Sequence, residues 1–399
     1  MSSILGTTGI SVLFGALVLG AAAPSEAAHA AQFHVLYVFQ GGSDGASPFG
    51  AMIKDTKGRY GITYYGGTNN VGTVFKLARD GTESVLHSFT GGIDGENPQT
   101  DLIADATGNL YGTTSAGGAS GCGTVFKVKP NGQEIVLYTF KCRPDGLTPN
   151  GGLVMDSAGD LYGTTYGGGA PNQGTVFKLA PDGTESILYS FQGGSDAAYP
   201  VAGLITDNKG NLFGTTYGGG DAALGTVFKL SPKGKETVLY SFKGGSDGAN
   251  PFAKVIADSS GNFYGTTWAG GGDGCNGSGC GTVFRVTKDG AETVLHSFAG
   301  GSDGFGPYAG VVADTDRNLY GSTLYGGGSG CGGNGCGLVF KLAPDGTKID
   351  LYDFSGDDGS RPSANFIADE KGNLYGTTFD GGGSGCGGSG CGVAFKIKN

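Results

Sequence analysis

Residues 108–114 read Gly-Asn-Leu-Tyr-Gly-Thr-Thr, and this phrase returns with small edits to the end of the chain. Its aromatic position falls at Tyr60, Tyr111, Tyr162, Phe213, Tyr264, Tyr320 and Tyr375. A second phrase, Gly-Thr-Val-Phe-Lys in its commonest form, follows each copy and opens at Gly72, Gly123, Gly174, Gly225, Gly281, Gly337 and Gly392. A chain of 399 residues would otherwise suggest two or three domains. A repeat of roughly 50 residues overrides that prior, because such arrays close into one body.

Working outward from the phrase, each unit reads as four short strands. In the second unit these are residues 101–105, 109–114, 124–129 and 134–140, each a short run with aromatic or β-branched residues. Between them lie Asp/Asn/Gly turns at 105–109 and 130–133, where glycine or asparagine supplies positive φ; Pro-Asp-Gly takes the same place at 181–183 and 344–346. Four antiparallel strands per unit match the blade of a β-propeller, so the expected fold is all-β, a seven-bladed propeller over residues 31–399. A parallel β-helix is the structural rival, but its coils are shorter and carry fewer hairpin turns. If the Gly-Leu-Ile strand (203–207) lies nearest the axis, residues 35–39 have no blade before them, and 393–398 have no outer strand after them. The two ends then pair and close the ring; in the other phase, 35–39 lie innermost.

With 84 glycines and 14 prolines the chain approaches a low-complexity composition, but its period argues for order. A net charge of −10 and a pI near 4.8 count against nucleic acid or an anionic membrane as partner. Residues 10–23 are apolar and are followed by Ala28-His29-Ala30, which fits a secretory signal cut after Ala30, although no Lys or Arg precedes the run. The rest has no apolar run of membrane length, so secretion or periplasmic residence, without membrane insertion and as a monomer, is expected.

The Asn-Leu-Tyr-Gly-Thr-Thr, Gly-Thr-Val-Phe-Lys-Leu, Leu-Tyr-Ser-Phe and Gly-Gly-Ser-Asp-Gly phrases resemble the GloVer tandem repeat of exported bacterial proteins, also called choice-of-anchor tandem repeat proteins. The resemblance spans nearly all of the chain after residue 30. It implies an extracellular or surface propeller and carries no established activity or agreed catalytic residues. Members often end in a sorting segment; here Asn399 follows directly on a strand phrase, so free release is expected.

All eight cysteines can be paired by position. Cys275 with Cys280, Cys331 with Cys336, and Cys386 with Cys391 each enclose four small residues before a third strand. Cys122 opens a third strand and Cys142 follows the outer strand beside it, so they are neighbours in an antiparallel hairpin. Export and an even count favour disulfides. Zinc is the rival, but these pairs sit on separate blades and lack histidine neighbours. No metal or cofactor is expected, with calcium as a lesser alternative at the connection aspartates Asp44, Asp94, Asp145, Asp196, Asp247, Asp303 and Asp358, which otherwise read as turn caps.

The loops leaving the second strand and entering the first emerge on one face, where three sets of residues stand out. Tyr64, Tyr166, Tyr217, Trp268 and Phe379 follow the Gly-Thr-Thr phrase, interrupted by Ser115 and Leu324; they suit stacking on sugar rings or packing between blades. Two positions before the apolar core of the inner strand, most units carry Gly or Ala, but three carry Asp101, Lys254 and Asn365, with Gln99 and Asn150 nearby. These would line one end of the channel. His34, His87 and His296 occupy outer-strand sites and read as packing variants. No nucleophile elbow, His-Glu-x-x-His or phosphate loop occurs. The favoured reading is a binding propeller for a glycan or other extracellular polymer. A polysaccharide hydrolase or lyase using channel-mouth carboxylates and a structural cell-surface protein are the alternatives.

Overall fold

A computed structural model of the chain describes residues 31–398. The signal segment read at 1–30 lies outside them. Seven four-stranded antiparallel sheets are arranged in sequence order, each running from an inner strand through two middle strands to an outer one. In the third blade these are Val154–Met155, Leu161–Thr165, Thr175–Leu179 and Glu185–Ser190. The ring closes as the first of the two phases requires: Gln32–Val38 pairs antiparallel with Val393–Lys398 and becomes the outer strand of the seventh blade.

The sequence reading made the inner strands too long. Regular pairing there covers two residues in most blades, as at Ile103–Ala104 where residues 101–105 were expected. Above that point the strand departs from its neighbour because its carbonyls serve the blade before. In the third, fourth and fifth blades the first Thr of the phrase reaches forward, Thr164 Oγ1 donating to the Ala202 carbonyl at 3.1 Å, Thr215 to Ala253 at 2.9 Å and Thr266 to Ala309 at 2.8 Å. The second Thr stays within its blade, Thr165 Oγ1 lying 2.8 Å from Thr175 Oγ1. Asparagine and tyrosine of the phrase serve the turn: Asn109 Nδ2 and the Tyr111 hydroxyl donate to Asp105 at 2.7 and 2.9 Å.

Packing lies between blades. The last phenylalanine of each outer strand meets the third-strand phenylalanine of the next blade edge to face, Phe140 on Phe177 at 5.1 Å between ring centroids, and the motif is repeated at all seven seams including Phe39 on Phe75. Such edge-on pairs add about 0.5–1.5 kcal/mol to simple burial. The glycine of the phrase makes room for them, since a Cβ at Gly163 would stand 2.6 Å from Phe177 Cζ and 2.9 Å from Leu153 Cδ2. Gly163→Ala is therefore expected to destabilise the ring by about 1–3 kcal/mol through overpacking. Urea unfolding checks this, and an unchanged midpoint would contradict the close approach.

All eight cysteines are joined as Cys122–Cys142, Cys275–Cys280, Cys331–Cys336 and Cys386–Cys391, with Cα separations of 5.2–5.4 Å. The last three clamp the glycine loops of three consecutive blades. Four disulfides fit an oxidising, non-cytoplasmic compartment. Among the described residues no helix is long and apolar enough to cross a membrane.

Candidate functional site

The inner strands begin just after a proline that ends each connection from the rim. The residue before that proline has left-handed φ in every blade: Ser47 (54°), Asn97 (54°), Thr148 (54°), Tyr199 (58°), Asn250 (55°), Gly306 (63°) and Arg361 (56°). For a side chain other than glycine this costs on the order of 1 kcal/mol. The offset is a pair of backbone bonds. Tyr199 N–H donates to the Gln173 carbonyl of the previous blade at 2.7 Å, while the Tyr199 carbonyl accepts from Tyr217 N–H at 3.0 Å; Asn250 repeats this with Leu224 and Trp268. The connection is thereby pinned, and the residue after the proline faces the axis.

Alternate side chains of the inner strand line a cavity of about 190 Å³ on the loop face. Its upper layer holds the residues after the prolines: Phe49, Gln99, Asn150, Val201, Phe252, Tyr308 and Ser363. Two residues further along stand Asp101, Gly152, Gly203, Lys254 and Asn365. The upper layer is lopsided. Phe252 stacks on Tyr308 at 4.9 Å, and Tyr308 meets Phe49 edge-on at 5.9 Å. Facing this arc are Gln99 and Asn150, joined by a hydrogen bond from Gln99 Nε2 to Asn150 Oδ1. Ser363 Oγ is buried and has no hydrogen-bond partner among the described residues.

The three repeat-breaking residues come together in the lower layer. Lys254 Nζ stands 2.7 Å from Asp101 Oδ2, and Asn365 Nδ2 donates to the same oxygen at 3.3 Å. Ala51 N–H donates to Asp101 Oδ1 at 2.7 Å, and Gly310 N–H to Asn365 Oδ1 at 2.7 Å. Burial pushes the Asp101 carboxyl up, but the Lys254 ammonium, the Ala51 N–H and Asn365 together outweigh it and hold it below the usual carboxylate range. The Asp101 charge in turn raises Lys254 against the burial that would lower it. Both groups are charged and paired with each other.

Of the five aromatics singled out in sequence, Tyr166 lines the cavity. The others pack around the lining rings as an outer collar. Tyr217 lies 4.9 Å from Phe252, Trp268 5.9 Å from Phe252 and 6.3 Å from Tyr308, and Tyr64 and Phe379 lie 6.3 and 6.0 Å from Phe49. Phe49, Phe252 and Tyr308 were missed because they belong to the connection rather than to the strand phrase. The signal was present as the variable residue after each recurring proline.

A second hollow of about 440 Å³ opens between the clamped loops of the sixth and seventh blades, where Arg361 pairs with Asp380 and lies 5.4 Å from the Phe379 ring. Elsewhere on this face the connection aspartates bind their own loops. Tyr189 hydroxyl and Gln192 N–H both donate to Asp196 Oδ2, at 3.0 and 2.7 Å, and Asp145 and Asp247 are held alike. His87 and His296 stand in the tyrosine position, 3.5 and 3.3 Å from Asp94 and Asp303. Among the described residues no group of three or more His, Cys, Asp or Glu is placed to hold a metal ion.

Solved structures share the ring as a fold. The extracellular domain of a one-component system of B. thetaiotaomicron matches at 14% identity over 92% of this chain and 42% of that chain, with a TM-score of 0.57. PorZ, a surface component of the type-IX secretion system of Porphyromonas gingivalis, matches at 15% identity over 91% of this chain and 48% of that chain, with a TM-score of 0.53. A gluconolactonase of Xanthomonas campestris aligns at 14% identity over 92% and 89% of the two chains, with a TM-score of 0.45. Among curated proteins none matches the sequence. The model of the Gloeobacter/Verrucomicrobia repeat matches residues 25–223, 136–333 and 277–399, and the chain belongs to that family.

Proposed function

We propose that this is an exported binding propeller that recognises a glycan or a similar extracellular polymer at the cavity of its loop face. The observation that carries the reading is the division of the cavity wall into an aromatic arc and an amide arc. Sugar rings have an apolar C–H face, which suits Phe252, Tyr308 and Phe49, and hydroxyl edges, which suit Gln99, Asn150 and Ser363. The four disulfides and the apolar stretch before Ala30 support export, and the acidic surface supports a partner other than nucleic acid. Binding is favoured over hydrolysis because the cavity wall carries one carboxylate, Asp101, already committed to three donors, whereas glycoside hydrolysis ordinarily uses two.

Trp268 is the chain's sole tryptophan and touches two rings of the aromatic arc, so its emission reports on the site. Polysaccharide pull-down and Trp268 emission titration with soluble fragments are expected to detect a ligand. The Phe252→Ala/Tyr308→Ala double variant is expected to weaken it about tenfold or more. Binding unchanged in that variant, with the fold intact by circular dichroism, would sink the assignment to this face.

A further inference from the structure

The channel is barred. Lys254 belongs to the fifth blade, Asp101 to the second and Asn365 to the seventh, and their contacts at 2.7 and 3.3 Å join side chains from separate parts of the ring across its axis. Ala51 N–H of the first blade and Gly310 N–H of the sixth fasten the other ends of this bar. A polymer passing through would have to break an ion pair with its attendant hydrogen bonds, and doing so would leave charges stranded in the channel. The cavity above the bar, at about 190 Å³, is below the roughly 300–1,000 Å³ usual for drug-sized ligands.

The bar is also electrically spent. One positive and one negative group neutralise each other, and both Asp101 oxygens and Asn365 Oδ1 already have donors. Apart from the N–H groups of Lys254 that Asp101 does not take, whose charge that carboxylate balances, the groups left for a ligand are neutral: the buried Ser363 hydroxyl, the Tyr308 hydroxyl, and the remaining amide atoms of Gln99 and Asn150. From this, and resting on the reading of the cavity as a glycan site, we infer that it takes one uncharged terminal sugar residue, entering end-on from the loop face, with the rest of the chain outside. An internal stretch of polymer would lie across the mouth without reaching Ser363, and an acidic sugar would find no free cation.

The test uses the full chain from Ala31, with Trp268 emission and calorimetry as readouts. The probes are neutral gluco-, manno-, xylo- and N-acetylchito-oligosaccharides of one to six units, with oligogalacturonides as the acidic series. At least one neutral series is expected to bind with an affinity that settles within about threefold from two units upward, and with the acidic series at least about tenfold weaker. Val201→Trp, which fills the cavity without touching the bar, is expected to weaken that binding at least about tenfold at unchanged Tm. Affinity that climbs with every added unit to six, or tighter binding of oligogalacturonide, overturns the end-on neutral site while leaving a glycan-binding propeller in place. Failure of every series to bind overturns both.

Discussion

A chain that starts at Gln40 is expected to lose its folded monomer. Among the described residues Gln32–Val38 is the outer strand of the seventh blade, and Phe39 supplies the edge-on partner of Phe75 at the seam with the first blade. Phe39 is 2% exposed, and removing such a ring alone costs about 3–5 kcal/mol. Phe33 goes with it, stacked at 3.8 Å on Tyr352 of the sixth blade. Together these losses rival the whole stability of a typical domain, about 5–15 kcal/mol. The bared edge of Val393–Lys398 would then be free to pair with other chains. Size-exclusion chromatography and thermal melts are expected to show aggregate or a broad, low transition. A synthetic peptide of residues 31–41 is expected to restore a cooperative one. A truncated chain that melts within a few degrees of the full one would show that closure contributes little.

Stability is expected to fall as pH rises from 6 to 8, the reverse of what an acidic protein with many satisfied aspartates would otherwise show. At five seams a glutamate that begins the outer strand sits near the connection aspartate of the blade before. Burial and then the facing aspartate push Glu134 (Asp94), Glu185 (Asp145), Glu236 (Asp196) and Glu292 (Asp247) up to about 7, and Glu83 (Asp44) to about 8. One oxygen of each is buried without a hydrogen-bond partner among the described residues. A carboxyl whose folded value lies above its unfolded value of about 4.3 adds stability that is fully present below the unfolded value and is lost as pH rises through the folded one.

Other groups act in the opposite direction at lower pH. Burial lowers His87 and His296, so their contribution falls away below about pH 6.5. The turn aspartates, such as Asp369 at about 2, lose theirs below about pH 4. Five raised glutamates outweigh two lowered histidines, so the maximum is expected near pH 4–5, above the range where the turn aspartates protonate and below most of the glutamate loss. Because the glutamates are half exposed, solvent screening reduces each share. A Tm lower by roughly 5 °C at pH 8 than at pH 6 is a conservative sum. Replacing Glu185, Glu236 and Glu292 with Gln is expected to flatten that slope. A slope that keeps its size in the triple variant would place the titration elsewhere. The two remaining seams act as internal contrasts: Lys348 stands in the glutamate position and pairs with Asp303 at 2.9 Å, and Phe33 stands there at the closing seam.

Blades, turns, cysteine pairs and ring closure were legible because each is written as a phrase repeated in order. Asp101, Lys254 and Asn365 were legible as breaks in a phrase that elsewhere demands Gly or Ala, and they meet at the axis because equivalent positions on a ring converge. What escaped the sequence depended on contact between repeats. Nothing within one unit marks Phe252 or Tyr308 as lining residues, since their direction is set by a left-handed residue pinned to the previous blade. Likewise Glu185 looks like a solvent-facing strand residue until the neighbouring blade covers it.

The phenylalanine seams bear on how such a chain can change over generations. Every apolar cluster draws on two adjacent blades, as Val125 and Phe140 of the second do with Leu153 and Phe177 of the third. A blade thus owns no core, and the heritable unit is the seam. A substitution in one repeat is tolerated or rejected by its neighbour, while the residues after the prolines, whose aromatic members meet the collar rings of Tyr64, Tyr217, Trp268 and Phe379, already differ from repeat to repeat. Seven near-copies can stay alike in their scaffold for that reason and still differ, position by position, around one mouth.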